Sequence, residues 1–494
     1  MAVSAAKSVS RSRRAARRRN AVRARRGSVH VTRSYDLVVI GGGAGGLVAA
    51  REARRRGAST VIVQDGPVGG DCTFTGCVPS KTLLAAAASG VDFDEAMTRV
   101  HRAVDRIAST EDATALALEG IDVVDGFARF TSPAAVAVDG RTIRSKRFVV
   151  ATGARPALPA IPGLRESAPL TNETLFDLPT RPESMIVLGG GPIGCEMAQA
   201  FARLGTRVTL VEALERILPR EEPDASTVVA EALTADGVDV RVGSMVERVE
   251  RLSDGDVCVH ADDGTSIAAS ELLVAIGRVP SGRGFGLEEI GVDVDARGAV
   301  VVESTMATSV SGIWAVGDVT GGLQFTHAAG RMAWVAASNA LSKLARIRSF
   351  RFDPANVPWA TFTSPEVGRV GLTEAEAAEA HPKARIAHLP LEHIDRAVAV
   401  GAERGFVKLI AAPRHGIGHL GGGRLVGATI VAPTGGDLVH EAALAMQTNM
   451  FVGRLAQTTH AYPTWAMAVQ QAALQFFGPS AGLRARPVRA QPSE

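Results

Sequence analysis

The chain has 494 residues, enough for roughly two to four domains, and carries a formal net charge of +3. Its many glycines (52) and few aromatic residues (4%) suit α/β units whose backbones approach ligands closely. The longest uninterrupted apolar run, from Leu37 to Ala50, has 14 residues, whereas a membrane-spanning helix needs about 20, so we predict no membrane span.

The basic charge is concentrated in residues 1–34, which contain ten Arg and Lys7 but neither Asp nor Glu. The rest of the chain has 43 basic and 51 acidic residues, a balance of −8 that argues against a nucleic-acid partner. A segment rich in Ser, Ala and Arg and free of acids is typical of a transit peptide. We predict that residues 1–34 target an organelle, with a plastid favoured over a mitochondrion. The alternatives are a disordered basic arm and a wrongly chosen start codon.

Two glycine-rich loops follow the same pattern 148 residues apart. The apolar run Tyr35–Ile40 predicts a buried parallel strand, which leads into a G-x-G-x-x-G loop and a helix, and the run Ser184–Leu188 does the same. In this setting the glycines allow a tight turn and close approach of a pyrophosphate, which lies at the helix N-terminus. We therefore predict two dinucleotide sites, formed by Gly41, Gly43, Ala44 and Gly46 and by Gly189, Gly191 and Gly194.

A polar residue at the end of the second strand of each unit contacts the ribose. Glu212 stands at this position, 23 residues after Gly189. At the same offset from Gly41 stands Gln64, followed by Asp65, and an amide can still hydrogen-bond a ribose. Three later apolar strands end in small residues or a carboxylate. These strand ends supply the further cofactor-binding candidates Ala151, Thr152, Gly153, Gly277 and Asp318.

Cys72 and Cys77 lie five positions apart, flanked by glycines, some 30 residues after the first loop. Pro79 suits the first turn of a helix that continues to Ala88, so we expect Cys77 at a helix N-terminus, where the dipole favours a thiolate. Lys81 lies one turn further along the same face. We predict a catalytic disulfide; the alternative is a pair of small buried thiols near a turn.

Glu196 lies in the helix after the second loop, with apolar residues on its face, and a carboxylate there needs a partner. We predict that Lys81 is this partner; the alternative is a solvated helix glutamate. Cys195 and Cys258 have no comparable setting and are predicted to be inert. With four cysteines in all, the chain has no structural disulfide framework.

The Cys72–Lys81 segment, both glycine loops, Ala151–Gly153 and the Gly317-Asp318 pair resemble the class I pyridine nucleotide–disulfide oxidoreductases. This family includes glutathione reductase, lipoamide dehydrogenase and mercuric reductase. The resemblance covers residues 35–478 and implies an α/β fold with two Rossmann-like domains and a C-terminal α+β domain that forms a homodimer. The implied divisions are an FAD domain split into 35–158 and 285–352, an NAD(P) domain at 159–284, a dimerisation domain at 353–478 and a loose tail at 479–494.

The resemblance also implies residue roles. Cys77 would contact the flavin as a charge-transfer thiolate, and Cys72 would be the interchange thiol that attacks the substrate. Lys81 and Glu196 would pair beside the flavin ring. Asp318 would hydrogen-bond the ribityl chain of FAD.

The C-terminal segment departs from part of the family. Lipoamide and glutathione reductases have a His-Pro-Thr followed by Glu, the His acting as acid/base on the interchange thiol. Here Tyr462 and Met467 occupy the His and Glu positions, and His460 stands two positions earlier. Mercuric reductases also have a Tyr there, and by resemblance Tyr462 would reach the Cys72 side across the dimer interface. They receive the metal from a C-terminal cysteine pair, however, whereas this chain has no cysteine after Cys258.

The sequence and the resemblance together predict three candidate functions, of which we prefer the first. It is a mercuric-reductase-like NAD(P)H-dependent flavoenzyme with an unassigned small-molecule acceptor, namely a metal ion, a quinone or an unusual disulfide. The second is a lipoamide dehydrogenase of a multienzyme complex, and the third a non-catalytic redox-sensing flavoprotein. FAD is the expected cofactor and NADH the expected donor, because the charge of Glu212 repels a 2′-phosphate. Arg216, four residues on, softens that repulsion and leaves NADPH as a second donor. No resident metal is predicted.

Overall fold

The computed structural model describes residues 32–342 and 349–489, so residues 1–31 of the predicted transit peptide lie outside the described part of the chain. The described residues form an α/β fold with two parallel sheets and a C-terminal antiparallel sheet. Strands with runs of Val, Ile and Leu, buried on both faces, form the centres of the parallel sheets, as their sequences predict. Within this described part, no helix is long and apolar enough to cross a membrane.

The first region carries the first glycine loop and the two vicinal thiols. Its strands are β1 (Thr32–Ser34), β2 (Leu37–Ile40), β3 (Thr60–Gln64), β4 (Ile121–Asp125), β5 (Arg129–Ser132), β6 (Ala135–Val138), β7 (Arg141–Arg144), β8 (Phe148–Val150) and β9 (Ala154–Pro156). Its helices are α1 (Ala44–Arg55), α2 (Gly70–Phe74), α3 (Cys77–Ala88), α4 (Phe93–Ala108) and α5 (Ala113–Leu118).

The second region carries the second glycine loop. Its strands are β10 (Ser184–Leu188), β11 (Arg207–Val211), β12 (Asp239–Arg241), β13 (Val246–Arg251), β14 (Val257–Ala261), β15 (Ser266–Ala269), β16 (Glu271–Val274) and β17 (Arg278–Pro280), and its helices are α6 (Pro192–Arg203) and α7 (Pro223–Ala235). The chain then returns to the first region with β18 (Ile313–Ala315) and α8 (Thr326–Leu341).

The two parallel sheets have related orders. The first is β18-β8-β2-β3-β4 and the second is β12-β11-β10-β16. In both, the strand before the glycine loop is central, so the loop and its helix N-terminus open at the carboxyl edge of the sheet, where ligands bind in such folds. Strands β9 and β17 pair where the chain leaves the first region and comes back to it.

The C-terminal region forms a six-stranded antiparallel sheet. Its strands are β19 (Trp359–Thr361), β20 (Glu366–Gly371), β21 (Arg385–Pro390), β22 (Phe406–Ala412), β23 (Arg424–Ala432) and β24 (Arg486–Pro487), and its helices are α9 (Glu374–Ala380), α10 (Asp395–Val400), α11 (Gly435–Gln447), α12 (Val452–Gln457) and α13 (Met467–Leu474). The sheet order is β19-β20-β23-β22-β21-β24. Apolar residues of helices α11 to α13 and of strands β22 and β23 share one buried cluster.

Two expectations for this region need correction. From about Asn356 the sequence alternates in a way that predicts short strands and two helices. The described residues of this region have five α-helices, because three of them are only six or seven residues long and lack a readable period. The tail predicted to be loose from Pro479 is ordered as far as Arg489. Its strand β24 pairs with β21, and Arg486 forms an ion pair with Glu374. The strand is two residues long, too short to give a sequence signal.

Candidate active site

A cleft of about 2450 Å³ runs along the carboxyl edges of both parallel sheets, and Cys72 and Cys77 line its middle. A typical small-molecule pocket measures about 300–1000 Å³. The cleft therefore has room for two dinucleotides that meet at the thiols. Most of the cofactor-binding residues predicted from the sequence line it, among them Gly41, Gly43, Ala44, Gln64, Asp65, Ala151, Thr152, Gly153, Gly189, Gly191, Glu212, Gly277 and Asp318.

At two positions of the first glycine loop, the neighbouring backbone lies too close for a residue that has a side chain. Gly41 has φ +101°, and a Cβ there would lie 2.2 Å from the carbonyl oxygen of Ala151. A Cβ on Gly46 would lie 1.9 Å from the carbonyl oxygen of Gly41, so Gly46 packs the helix against the turn rather than lining the cleft. The N-terminus of helix α1 is thereby left open to the cleft, which fits the pyrophosphate of a dinucleotide.

Gln64 and Glu212 have equivalent places in the two loops. Gln64 Oε1 accepts a hydrogen bond from Gly42 N at 2.6 Å, and Glu212 Oε2 accepts one from Gly190 N at the same distance. Glu212 Oε1 also accepts from Leu214 N at 2.9 Å, so its carboxylate is held by two backbone groups. The glutamine therefore orients its loop as the glutamate does, but without a charge at the ribose position.

The thiols lie on two consecutive helices. Cys72 is on the short helix α2, and Cys77 is the first residue of helix α3, as the sequence predicts. Gly76 separates the helices, and a Cβ there would come within 2.8 Å of the Asp71 carbonyl oxygen. Cys77 is exposed to the cleft, and its Sγ lies 3.4 Å from Thr326 Oγ1 at the start of helix α8.

The two thiols differ in acidity. A hydrogen bond from Cys72 lowers the pKa of Cys77 to about 5, and Thr326 and Lys81 act in the same direction. Although Cys77 is exposed to the cleft, the protein atoms around it partly exclude water, and this desolvation and the charge of Glu196 oppose the lowering. The pKa of Cys72 is raised far above its usual value, because its proton is held by Cys77 and because burial disfavours a charge. The reduced pair therefore carries one thiolate, on Cys77, and one thiol, on Cys72.

Lys81 and Glu196 form the predicted ion pair. Lys81 Nζ lies 2.7 Å from Glu196 Oε2, and the Lys81 ammonium lies 4.6 Å from the centre of the Phe362 ring. Glu196 is only 3% exposed, which excludes the alternative of a solvated glutamate. Its other oxygen, Oε1, accepts a hydrogen bond from Phe362 N at 2.9 Å. The carboxylate thus joins both dinucleotide regions to the C-terminal sheet.

Arg278 connects two acidic residues of the cleft, and sequence reasoning missed its role. Its guanidinium donates to Asp71, the residue before Cys72, and its Nε lies 3.5 Å from Asp318 Oδ2. Burial is the main cause that raises the pKa of Asp318. The only sequence signal was that Arg278 directly follows the predicted cleft residue Gly277.

The C-terminal candidates do not line the cleft of their own chain. Tyr462 is 69% exposed, and a hydrogen bond to Asp395 raises its pKa. The side chain of His460 is 6% exposed and lies 3.1 Å from the carboxylate of Glu441, a pairing that the sequence did not indicate. His440, the neighbour of Glu441 on helix α11, does line the cleft.

The remaining two cysteines have different surroundings. Cys195 is fully buried in helix α6, and burial raises its pKa, in keeping with an inert thiol. Cys258 on strand β14 lies beside Glu250 and His260, two residues that sequence reasoning did not associate with it. His260 lies on the same strand as Cys258, and the pairing of strand β13 with β14 brings Glu250 to them.

Comparisons with known proteins agree with this geometry. Residues 35–333 match the family described as pyridine nucleotide-disulphide oxidoreductase, and residues 357–473 match its dimerisation domain. The chain is 37% identical over 468 residues to a mercuric reductase of Streptomyces lividans, covering 90% of this chain and 96% of that protein. It is 33% identical over 461 residues to a dihydrolipoyl dehydrogenase of Thermus scotoductus, covering 89% of this chain and 97% of the relative.

A similar solved structure is the Cu(II) complex of the HOCl-induced flavoprotein disulfide reductase RclA from Escherichia coli. It has a TM-score of 0.81 and 30% sequence identity, and the likeness covers 89% of this chain and 99% of that one. The chain is thus similar to proteins whose names refer to mercuric, dihydrolipoyl and disulfide substrates.

Proposed function

Because the chain belongs to the pyridine nucleotide-disulphide oxidoreductase family, we propose that it uses NADH to reduce a thiophilic metal ion, such as Hg(II) or Cu(II), at the Cys72–Cys77 pair. The chain is an FAD-dependent NAD(P)H oxidoreductase with a redox-active Cys72–Cys77 disulfide. The chain has both thiols and the Lys81–Glu196 ion pair, which argues against the interpretation as a non-catalytic sensor. The identity of the acceptor and of the nicotinamide is the part that we propose.

The first loop and its surroundings fit FAD. The cleft is open along helix α1, and the glycines leave no space for side chains between loop and backbone. Asp318, which follows strand β18, also lines the cleft. When bound there, FAD supplies the two-electron relay between the nicotinamide and the thiols. Gly43, Ala44, Gln64 and Thr152 would hold its dinucleotide part.

The second loop supports NADH as the donor. Glu212 is held by two backbone N–H groups with its negative charge at the ribose position, which disfavours a 2′-phosphate. Arg216 was the cation expected to soften this preference. Its guanidinium instead donates to the carbonyl oxygens of Pro219 and Glu221 and to Ser226 Oγ, at 2.7, 2.8 and 3.2 Å. Those bonds occupy it within its own loop, so we propose NADH over NADPH.

The thiol pair can supply two electrons to the metal ion. Oxidation of this thiolate–thiol pair to the disulfide forms one S–S bond and releases two electrons and the single proton of Cys72. One Hg(II) ion, or two Cu(II) ions, would take up the electrons. Cys77 is already a thiolate at neutral pH, so Cys72 alone must lose its proton when the metal binds. A soft cation bound to both sulfurs favours that loss, since it prefers thiolate ligands.

The observation that carries the choice of a metal over a disulfide substrate is the chemistry of Tyr462. Reduction of a disulfide produces a leaving thiolate, which an acid with a pKa near the working pH protonates best. Tyr462 has a pKa raised above its usual value of about 10, and Met467 offers no carboxylate to assist it. A metal ion needs no proton from this position. The mercuric reductase relative supports the same choice.

Lipoamide reduction remains the second candidate because of His460. It lies 3.1 Å from Glu441, which provides a histidine–carboxylate pair in the C-terminal region, and one relative is a dihydrolipoyl dehydrogenase. The side chain of His460 is buried beside Glu441, however, and does not line the cleft of its own chain. It would act only if a second subunit brought it to the thiols.

We also propose a homodimer. Residues 357–473 match a dimerisation domain, and exposed apolar side chains occur in that region, including Leu444 on helix α11. Tyr462 is exposed on the same domain. A dimer in which this face meets the cleft of a second copy would bring Tyr462 to the thiols. Sedimentation of the FAD-loaded protein at twice the mass of one chain would support this proposal, and a monomer would contradict it.

The decisive experiment is a panel of acceptors. NADH oxidation by the purified flavoprotein would be followed with Hg(II), Cu(II), lipoamide, glutathione disulfide and a quinone. We expect Hg(II) or Cu(II) to give the highest kcat/KM. The Cys72→Ser variant should show no turnover with the metal ion. Turnover with lipoamide that exceeds turnover with either metal would overturn the proposal in favour of the second candidate. Turnover with the quinone that survives Cys72→Ser would overturn it in favour of direct electron transfer from the flavin.

A further inference from the structure

Three side chains with metal-ligating atoms meet on the small antiparallel sheet β13-β14-β15. Glu250 on β13 lies directly opposite Cys258 on β14, and His260 follows two residues later, so all three project from the same face. One ligand atom from each lies within 4.8 Å of the other two. Within residues 32–342 and 349–489, no other group of three such residues comes together in this way.

We propose that this face binds one divalent cation of the zinc class through Cys258 Sγ, His260 Nε2 and Glu250 Oε1. Sulfur, imidazole nitrogen and carboxylate oxygen are the ligands of such ions, with bonds of about 2.0–2.3 Å. A tetrahedral ion at those distances sets its ligand atoms roughly 3.3–3.8 Å apart. The three ligand atoms lie within 4.8 Å of one another, so side-chain rotation alone can bring them to that spacing.

The surroundings orient the imidazole for this role. His260 Nδ1 lies 2.8 Å from Ser266 Oγ on β15, and its Nε2 lies 2.9 Å from Glu250 Oε1. A histidine that binds a metal through one nitrogen usually has the other held by a hydrogen bond in this manner, which fixes the tautomer. The cation would replace the hydrogen between Nε2 and Oε1.

The arrangement of the three ligands leaves one coordination position of the cation open to solvent. Arg248 holds the other carboxylate oxygen of Glu250 at 2.6 Å, while Oε1 remains directed at His260. The side chains of Glu250 and His260 are 41% and 24% exposed, and Cys258 is buried beneath them. The sulfur thus forms the base of the site, and water can fill the fourth position.

The site is separate from the redox cleft, which none of the three residues lines. It does not depend on the proposed acceptor, because its ligands take no part in electron transfer. Cys258 was predicted to be inert from its sequence setting. That prediction overlooked His260, two positions further on the same strand, and the strand pairing that places Glu250 opposite Cys258.

The test is titration of the oxidised, FAD-loaded protein with Co(II). In this state Cys72 and Cys77 form a disulfide, which leaves Cys195 and Cys258 as the thiols. We expect one Co(II) per chain, with a near-ultraviolet thiolate-to-metal band and visible bands of tetrahedral intensity. Zn(II) should displace it. Cys258→Ser should remove the thiolate band, whereas Cys195→Ser should leave it unchanged.

Two further variants should change the affinity for Co(II) without removing a metal ligand. Ser266→Ala should weaken Co(II) binding by about tenfold or more, since the loss of such an outer contact costs 10–100-fold in affinity. Arg248→Ala should tighten binding, because it frees the second oxygen of Glu250. Absence of a thiolate band in the wild type, or its persistence in Cys258→Ser, would overturn the proposal. Circular dichroism of each variant identifies any that fails to fold, and for such a variant His260→Gln serves as the replacement test.

Discussion

Lys81 Nζ lies 2.7 Å from Glu196 Oε2, and this ion pair joins the redox helix α3 to helix α6 of the second dinucleotide unit. Through Oε1 the same carboxylate accepts a hydrogen bond from Phe362 N in the C-terminal region. One buried side chain therefore connects three parts of the chain. Its replacement should affect both the acidity of Cys77 and the stability of the assembled domains.

Glu196→Gln and Glu196→Leu should differ in stability. The glutamine keeps an acceptor for Phe362 N, whereas the leucine leaves that buried N–H unpaired, which costs about 1–3 kcal/mol. We expect urea unfolding to show the leucine variant less stable than the glutamine variant by this amount. Glu183→Leu is the matched control, because it breaks an exposed ion pair with Arg207 and should change stability by no more than about 0.5 kcal/mol. Equal losses in both Glu196 variants would contradict the role of the hydrogen bond.

The thiol variants should have opposite spectra. The purified protein should be yellow, with one FAD per chain, and NADH should produce long-wavelength charge-transfer absorbance from the Cys77 thiolate. Cys77→Ser should abolish this band. Cys72→Ser should make it permanent, because Cys77 then has no disulfide partner. A wild-type protein without the band and with unreactive Cys72 would contradict the assignment of the two thiols.

The same band should depend on pH in a defined direction. The pKa of Cys77 is lowered to about 5, so the thiolate is present above that pH and is lost as the pH falls through it. Because the folded pKa lies below that of an unfolded thiol, the thiolate contributes stability above the unfolded value of about 8.5, and this contribution decreases between there and pH 5. Lys81→Met should raise the midpoint, since the ammonium favours the thiolate. An unchanged midpoint would show that Lys81 does not act on Cys77.

The nucleotide preference should follow the charge of Glu212. We expect a higher kcat/KM for NADH than for NADPH in the wild type. Glu212→Gln should raise kcat/KM for NADPH roughly tenfold, because repulsion between unit charges about 4 Å apart amounts to about 1–4 kcal/mol. Arg216→Ala is the control and should not lower NADPH turnover selectively, because the guanidinium is occupied by Pro219 and Glu221. A wild-type preference for NADPH would reverse the assignment.

Tyr462 separates the two candidate functions. Tyr462→His combined with Met467→Glu should increase lipoamide turnover by about 10²–10⁴-fold, the usual range for general acid–base catalysis. His460→Ala should leave wild-type metal turnover unchanged, since a metal acceptor needs no proton donor. If the wild type already reduces lipoamide at about 10²–10³ per second, near the upper range for enzymes, the dihydrolipoyl dehydrogenase function takes the place of the metal reductase.

The basic N-terminal tail should act as a targeting signal. A fluorescent protein carrying residues 1–40 should enter an organelle, and we expect a plastid rather than a mitochondrion because the segment contains several serines. A matched fusion in which the ten arginines of residues 1–34 are replaced by glutamine should stay in the cytosol. Cytosolic retention of the unmodified fusion would refute targeting.

The sequence by itself determined those parts of the site that are formed by residues close together in the chain. The glycine loops could be predicted because the tight turns at Gly41 and Gly189 exclude side chains, and Cys77 could be placed because Pro79 marks the start of its helix. The partnership of Lys81 with Glu196 was predicted from the cost of a buried charge, although 115 residues separate them.

Contacts between distant strands and helices were decided only by the tertiary structure. Cys258 has one possible co-ligand, His260, on its own strand, and only the register of β13 against β14 places Glu250 beside it. His460 meets Glu441, and Arg278 meets Asp71, because whole elements pack together. A sequence pattern records which face of an element is apolar, but many registers satisfy the same pattern. The packing of the complete core selects one of them, and with it the polar neighbours that each side chain acquires.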